Sequence, residues 1–430
     1  MLDIKYIREN VKIVKETVKN KGIDLNIDDL LELDEKRINL LKRKEVINHN
    51  RKNAAKGGKG FNEDMKEAAR SLKEDLKEVN EDYDIVEKKY KDLLLLTPQI
   101  PQKDTPIGKS EEQNVEIKKQ GKLPKFDFKI KDHVELGKAL DIIDFEKGVK
   151  VHGFRGYFLK NEGARLQMAL MMYAINRMVQ KGFVFMLNPV LVKEMALVGS
   201  GHFPFGKEEV FQVANPGKLE TGENVKDPLY LGGTAEPALL AMYAKEVIKK
   251  EDLPIKVCGF STCFRSEVGS YGKDTKGLYR VHEFMKVEQV VICENDYKVS
   301  ENFFDEIKGI SEEILQELEL PYRIIQTCTG DMGAGKYRMD DIETWMPARE
   351  NYGETHSCSN IGDWQARRLN IKFDDKGKKE LCHTLNNTVL AGPRILIPLL
   401  ENNQQKDGSV KIPKVLWPYM AGTKVIKIKK

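Results

Sequence analysis

Apolar side chains recur along the chain at Met65, Ala69, Leu72, Leu76, Val79, Tyr83, Val86, Tyr90 and Leu93, in alternating steps of four and three. Lys, Glu, Asp and Asn fill most positions between them. Such a stripe is the seam of a helix that supercoils with a partner. The stretch from Ile27 to Ala55 reads as a second helix with a weaker seam: Leu31, Ile38 and Leu41 fit, but Asp34, Glu45 and Asn48 fall in the same register. Between the two lies Lys56-Gly57-Gly58-Lys59-Gly60-Phe61-Asn62, whose glycines break any helix. Two helices joined by a short loop fold back as an antiparallel hairpin. At about 1.5 Å per residue, limbs of about 30 residues predict an arm reaching roughly 45–50 Å. Its free end carries Arg51, Lys52, Lys56 and Lys59.

The segment Thr97-Pro98-Gln99-Ile100-Pro101 stops the second helix, since proline supplies no N–H and clashes with the preceding turn. A domain boundary is therefore expected near residue 100. It separates an N-terminal helical domain (1–100, arm about 27–95) from a larger domain over 101–430. A polar, Lys-rich connector runs to about Pro124. Beyond it, short β-branched and aromatic runs (183–187, 254–261, 284–292 and 322–326) interleave with helical stretches such as 164–180 and 303–318. Successive strands without regular helical crossovers predict a mainly antiparallel sheet flanked by helices, an α+β domain.

Composition narrows the function classes. The chain has 430 residues, 40% hydrophobic and 32% charged, in the range of a soluble globular protein. A net charge of +4 is mild for this size, so any nucleic-acid surface must be local, as at the tip of the arm. No apolar run approaches the roughly 20 residues of a membrane span, and no membrane partner is expected. The first residues alternate charge with apolar side chains and lack a secretory h-region, while Asp3, Glu9 and Glu16 argue against an amphipathic presequence. The six cysteines are scattered without a C-x2-C pair, so neither a zinc site nor a disulfide framework is expected, and a cytoplasmic location fits.

Candidate chemistry is densest between Phe264 and Glu288. An apolar run precedes a loop rich in Gly, Ser and Lys, and an alternating run follows: a strand, a long loop and a returning strand. Arg265, Lys273, Lys276 and Arg280 make the unit cationic, which suits a polyphosphate, since guanidinium presents a rigid fork to phosphate oxygens. A solvated basic hairpin is the plainer reading. The run F-R-S-E followed by G-x-x-G-K-D-T-K-G-L-x-R-V-H-x-F-x-K-V-E resembles the second signature motif of class II aminoacyl-tRNA synthetases, in particular that of the seryl-tRNA synthetases. The resemblance implies that Arg265 holds the ATP α-phosphate and the serine carboxylate, and that Ser266 and Val281 border ATP. It further implies that Glu267 contacts the adenine amino group, Arg280 lies near the γ-phosphate and Phe284 stacks on adenine. Glu288 holds the serine ammonium and hydroxyl.

Upstream, Thr234-Ala235-Glu236 resembles that family's serine-binding segment, although Thr followed by an acid is also an ordinary helix N-cap. Downstream, the run from Glu354 to Asn360 resembles its E-x-x-S-C-S-N strand. There Glu354, Thr355, His356 and Ser357 are implied at ATP, with Glu354 and Ser357 holding Mg²⁺; plain packing is the alternative for His356 and Cys358. Mg²⁺ accepts few protein oxygens and keeps waters or phosphates, so one carboxylate and one hydroxyl suffice. Asp341 and Glu343, ahead of Trp345, fit the family's D-x-E-x-W segment. The stretch from Leu385 to Asn402 resembles the third class II motif, with Asn386 and Thr388 implied at serine and Arg394 opening a helix at the γ-phosphate. Val389 and Pro393 replace the glycines of the commonest bacterial form. Val389 is expected to crowd the site slightly, and Pro393 to be tolerated in the first helical turn. The run from Gly182 to Leu191, with Pro189, resembles the first motif, which lies at the family's dimer interface.

The resemblance spans nearly the whole chain. It implies an ATP-dependent ligase that forms seryl-adenylate and pyrophosphate, then moves serine to the 3′ end of tRNA(Ser), with tRNA(Sec) left open as a second acceptor. It implies a homodimer with the arm gripping tRNA across subunits. Two other readings stand beside it. One is a diverged paralogue that loads a carrier other than tRNA, which the intact arm counts against. The other is a non-catalytic nucleic-acid-binding relative, against which stands the joint presence of Arg265, Glu267, Glu288, Glu354 and Arg394.

Overall fold

The computed structural model describes residues 1–55, 63–215, 217–268 and 276–428. Lys56, Lys59 and the glycines between the arm helices lie outside the described residues, as does Lys273. The chain divides into two compact units, Met1–Pro98 and Gln99–Lys430.

The first unit has two short helices, α1 (Ile4–Glu9) and α2 (Val11–Asn20), and two long ones, α3 (Ile27–Ala55) and α4 (Glu63–Leu95). The α4 seam turns inward: Val79 and Tyr90 are buried, and Leu72, Leu76, Tyr83 and Val86 partly so. In α3 the polar residues expected in the seam meet different fates. Asp34 is buried because two cations hold it: Arg8 of α1 pairs with one carboxylate oxygen and Arg37 donates to the other at 2.9 Å. A buried carboxylate is tolerated only with such partners. Arg37 also lies 4.6 Å from the centre of the Tyr90 ring. Further along, Glu45 is exposed and Ile47 is buried instead, so the apolar stripe drifts from a strict 3.5-residue repeat.

The second unit is built on an eight-stranded sheet. Its strands are β1 (Val115–Gln120), β2 (Val184–Leu187), β3 (Ile255–Phe264), β4 (Glu283–Cys293), β5 (Tyr322–Gln326), β6 (Arg338–Met346), β7 (Asn351–Gly362) and β8 (His383–Gly392). The order across the sheet is β1-β5-β6-β7-β8-β4-β3-β2. Every neighbouring pair is antiparallel except β2 with β3. The α+β expectation therefore holds, with the sequence runs near 184, 255, 283 and 322 all forming strands.

Two helices, α5 (Asn161–Gln180) and α6 (Glu194–Ser200), precede the short α7 (Glu236–Ala241); α8 (Tyr297–Glu317), α9 (Trp364–Leu369) and α10 (Leu396–Asn402) follow. Leu166, Leu170 and Met178 of α5 join Phe304, Ile307 and Leu315 of α8 in one core with Val287 and Val291 of β4. The face toward α8 is not purely apolar. The amides of Gln289 and Asn387 donate to the Ile307 carbonyl at 2.9 and 2.7 Å, and Asn360 donates to Ser300 Oγ at 3.1 Å. Paired in this way, buried amides fix the helix over the strands without the penalty of unmet polar groups.

Because strand side chains alternate, everything facing α8 fixes what faces the other way. Two irregularities modify that rule. Thr355 has no counterpart in the ladder with β6, because Ile342 pairs with His356 and Glu343 with Glu354. Val389 likewise lies between the Thr388–Glu288 and Leu390–Val287 pairs. Each is a bulge, an extra residue that re-aims its neighbours.

His383 of β8 is buried with Nδ1 3.1 Å from Ser300 Oγ, and burial pushes its pKa down to about 4. The unfolded chain, with an ordinary histidine near 6.5, binds this proton first. Stability from keeping the ring neutral is thus present above 6.5 and lost as pH falls toward 4, at about 1.4 kcal/mol per pH unit. The stability gap between wild type and His383→Asn, followed by denaturant unfolding, is expected to narrow across that window. A gap independent of pH would refute the assignment.

Candidate active site

On the face opposite α8, the ends of β3, β4, β7 and β8 border a cavity of about 250 Å³. Strand β4 contributes Phe284, Lys286 and Glu288, every second residue, as its alternation requires. Strand β8 contributes Asn386 and Thr388, and the turn after it Pro393 and Arg394. Thr234 and Glu236 enter at the start of α7, and Arg265, Glu267 and Val281 come from the segments flanking the loop between β3 and β4. Glu354, Thr355 and Ser357 come from β7. Glu354 and Ser357 are three apart and in a regular strand would face opposite ways. The bulge at Thr355 turns both toward the cavity.

The amino-acid-sized end is the more buried. Glu236 Oε1 accepts from the amides of Gln365 and Asn386, both at 2.6 Å. Burial pulls its pKa up, but Lys336, His202, the Gln365 amide and Lys286 outweigh that and hold it below the usual value. Glu288 goes the other way: burial raises it, and Lys286, whose ammonium lies 2.5 Å away, opposes the rise. Thr388 Oγ1 donates to Glu288 Oε2 at 3.4 Å. At the more open end, Arg265 Nε donates to the Gly233 carbonyl at 3.2 Å and its guanidinium lies 5.3 Å from the Phe284 ring centre. Arg394 is held by the Tyr279 and Glu354 carbonyls at 3.1 and 3.2 Å and pairs with the Glu354 carboxylate at 3.4 Å.

Several expected site residues lie elsewhere. Ala235 is buried in a separate apolar cluster with Leu239 and Leu240. Ser266 Oγ donates to the Glu208 carbonyl at 2.7 Å, and Arg280 pairs with Glu267 at 3.2 Å without lining the cavity. His356 is buried beside Thr355 Oγ1, with Nδ1 at 2.9 Å, and burial pushes its pKa to about 4; it belongs to packing, as does Cys358, whose Sγ lies 3.7 Å from the Phe304 carbonyl on α8. Val389 does not crowd the site: the bulge sends its side chain into the main core. Pro393 and Arg394 precede α10, which begins at Leu396, so Arg394 stands in a turn rather than at the opening of the helix. Arg51 and Lys52 of the arm are exposed near the end of α3.

The cavity also holds His202, Lys286, Lys336 and Ser359, to which the sequence assigned no role. Lys286 was within reach, being two residues from both Phe284 and Glu288. Ser359 follows Ser357 by the same period. His202 and Lys336 come from irregular segments and carried no local signal.

The arrangement offers guanidinium groups for phosphate or carboxylate, an aromatic face for a base and two buried carboxylates for an ammonium. Comparison with known proteins agrees. A family model described as the class II core domain of tRNA synthetases (G, H, P, S and T) matches residues 218–403, and one described as the seryl-tRNA synthetase N-terminal domain matches 1–101. A serine–tRNA ligase of Deinococcus radiodurans is 45% identical over 431 residues, covering 99% of both chains. The crystal structure of seryl-tRNA synthetase from Pyrococcus horikoshii complexed with ATP superposes with a TM-score of 0.89 at 37% identity, covering 100% of both chains. The cytoplasmic enzyme of Naegleria fowleri with AMP gives 0.87 at 33%, covering 100% of this chain and 99% of that one.

Because Lys286 and Glu288 are both buried, removing one leaves the other uncompensated. Lys286→Met is expected to lower folding stability by about 3–5 kcal/mol, and Lys286→Met with Glu288→Gln by clearly less. Denaturant unfolding of these two variants and of Glu288→Gln alone, in a double-mutant cycle, checks this; additive losses would refute the pairing.

Proposed function

The chain belongs to the seryl-tRNA synthetase family and acts as an ATP-dependent serine–tRNA ligase, and we infer from that premise how its cavity performs the reaction. The observation that carries the reading is the convergence of Glu236, Arg265, Glu288, Glu354 and Arg394, drawn from separated stretches of sequence, on one cavity. Glu236 and Glu288 hold the serine ammonium at the buried end. Arg265 bridges the serine carboxylate and the ATP α-phosphate, the adenine stacks on Phe284, and Arg394 takes the γ-phosphate. The carboxylate oxygen attacks the α-phosphorus in line, forming the acyl–phosphate bond as the bond to pyrophosphate breaks. Positioning and charge stabilisation supply the rate, because fixed cations need not reorganise as charge develops. The 3′-terminal hydroxyl of tRNA(Ser) then attacks the adenylate carbonyl and AMP leaves.

Selectivity follows from the buried end. Thr388 Oγ1 and Glu288 form a polar lining for the serine hydroxyl. Alanine would forfeit the hydrogen bonds of the serine hydroxyl to this lining, a loss that sites built to bond a substrate hydroxyl turn into discrimination of roughly 10⁴–10⁵. Glu354 and Ser357 are hard oxygen donors side by side, and neighbouring Asp341 is buried with Oδ1 unpartnered, a setting suited to Mg²⁺. Mg²⁺ held there with ATP would supply neutralisation of the phosphate oxygens. Zinc has no part in this reading.

The arm is read as the grip on tRNA, with Arg51 and Lys52 contacting phosphates. A homodimer is supported by the apolar side chains left exposed on α5 (Met168, Met172) and on the edge strand β2 (Val184, Leu187). A cytoplasmic setting suits six free, buried cysteines. Among the described residues no helix is long and apolar enough to cross a membrane. The carrier-loading and non-catalytic readings are disfavoured by full-length similarity to serine–tRNA ligases, arm domain included.

Amino-acid-dependent ATP–pyrophosphate exchange is the direct test. Exchange is expected with serine and not with threonine, alanine or glycine, and Arg265→Ala should lower it by about 10²–10³-fold. Exchange with another amino acid, or none in wild type, would overturn the reading. The double variant Arg51→Ala, Lys52→Ala should leave exchange intact, raise the KM for tRNA(Ser) and flatten its salt dependence; an unchanged tRNA KM would remove those side chains from the interface.

A further inference from the structure

His202 lines the cavity beside the groups assigned to serine. His202 follows α6 on a turn held rigid from three sides. Gly201 takes φ +90°, and a Cβ there would lie 2.3 Å from the Trp364 ring, so only glycine makes the turn. Arg368 donates to the Val198 and Phe203 carbonyls, at 2.8 and 2.9 Å, tying both ends of the turn to α9. Gln365, also on α9, donates to the Ser200 carbonyl at 2.8 Å and to Glu236 Oε1 at 2.6 Å, so one amide fixes this turn to the carboxylate assigned to the ammonium.

The ring itself is oriented by Ser200. Ser200 Oγ lies 2.9 Å from His202 Nδ1 and donates to the Leu197 carbonyl at 3.3 Å. A serine hydroxyl has one proton. With that proton on the Leu197 carbonyl, the contact to Nδ1 is a hydrogen bond only if Nδ1 carries the ring proton and donates. Nε2 is then a bare lone pair on a ring that lines the cavity. A neutral ring also suits its surroundings: burial pushes the pKa to about 4, Glu236 opposes the shift, and Lys336, Arg265 and Lys286 reinforce it. Glu236 receives the Gln365 and Asn386 amides on Oε1, which leaves Oε2 for the ammonium of the substrate, and an ammonium has three N–H groups to place.

We propose that His202 is a substrate-binding residue whose Nε2 accepts a hydrogen bond from the ammonium of serine, beside Glu236. The proposal rests on the serine reading of the cavity. It makes Ser200 a positioning residue, acting through the tautomer, and it makes α9 the clamp that holds both acceptors in place.

The test combines kinetics with ring ¹⁵N spectroscopy on the full-length wild-type protein. In ATP–pyrophosphate exchange His202→Ala should raise the serine KM about 10- to 100-fold, the span of one hydrogen bond to a charged group, and leave the ATP KM unchanged. His202→Gln, whose side-chain oxygen is an acceptor, should recover part of the loss. The His202 ring signals, identified by their absence in His202→Gln, should show a protonated Nδ1 and a bare Nε2, with Nε2 moving on addition of serine and staying put on addition of ATP. A protonated Nε2, an unchanged serine KM, or equal rises in both KM values with a lowered melting temperature would overturn the proposal. Absence of serine-dependent exchange in wild type would instead overturn the reading beneath it.

Discussion

Alternation along the strands is the constraint on which the larger unit depends. One face of the sheet is sealed by α5 and α8, and the residues turned toward them are apolar or fully bonded amides. Their neighbours have no choice but to face the cavity. Lys286, Glu288 and Glu354 are therefore set by backbone pairing, while Glu236, Arg265 and Arg394 are brought to them by the helix start and turns beside the strands. The two bulges refine the scheme. One brings Glu354 to the side of Ser357, and the other buries Val389 while Thr388 and Ala391 stay on the cavity side.

Electrostatics then divides the cavity. At the buried end Lys286 and Glu288 face each other, and Glu236 is kept ionised by surrounding cations. At the other end Arg265 is oriented by the Gly233 carbonyl, and Arg394 by the Tyr279 and Glu354 carbonyls together with the Glu354 carboxylate. A zwitterion fits the first environment and a polyphosphate the second. Fixed charges of both signs in a small, poorly solvated space act at full strength, and a carboxylate nucleophile arrives already deprotonated, so charge and positioning suffice for displacement at the α-phosphorus.

Much of this was legible in the sequence wherever the signal was local. The α4 seam announced itself because nine apolar residues keep one register, and the strand carrying Phe284, Lys286 and Glu288 because alternation survives in the bare sequence. Long-range facts were not legible. Asp34 sits in the α3 seam only because Arg8 of α1 reaches it, and the drift to Ile47 depends on how α3 meets α4. Whether a residue is in register or extra is decided by the partner strand, so neither bulge could be read from β7 or β8 alone. Val389 was misjudged for that reason, as was Arg394, because the onset of α10 depends on how the chain leaves β8. Ser266 and Arg280 belong to a recognisable motif, yet their hydrogen-bond partners, Glu208 and Glu267, decide where they point.

The bulge at Thr355 has a genetic corollary. In most strands the loss of one codon shifts every later side chain to the wrong face and abolishes the fold. Here β7 already carries one residue more than β6 can pair, so an in-frame deletion at Thr355 would restore an uninterrupted ladder and leave Glu354 two positions from Ser357, still on the cavity side. Such an allele would cost the cleft the Thr355 hydroxyl and its contacts to Thr344 and His356 while the two oxygen donors stay side by side.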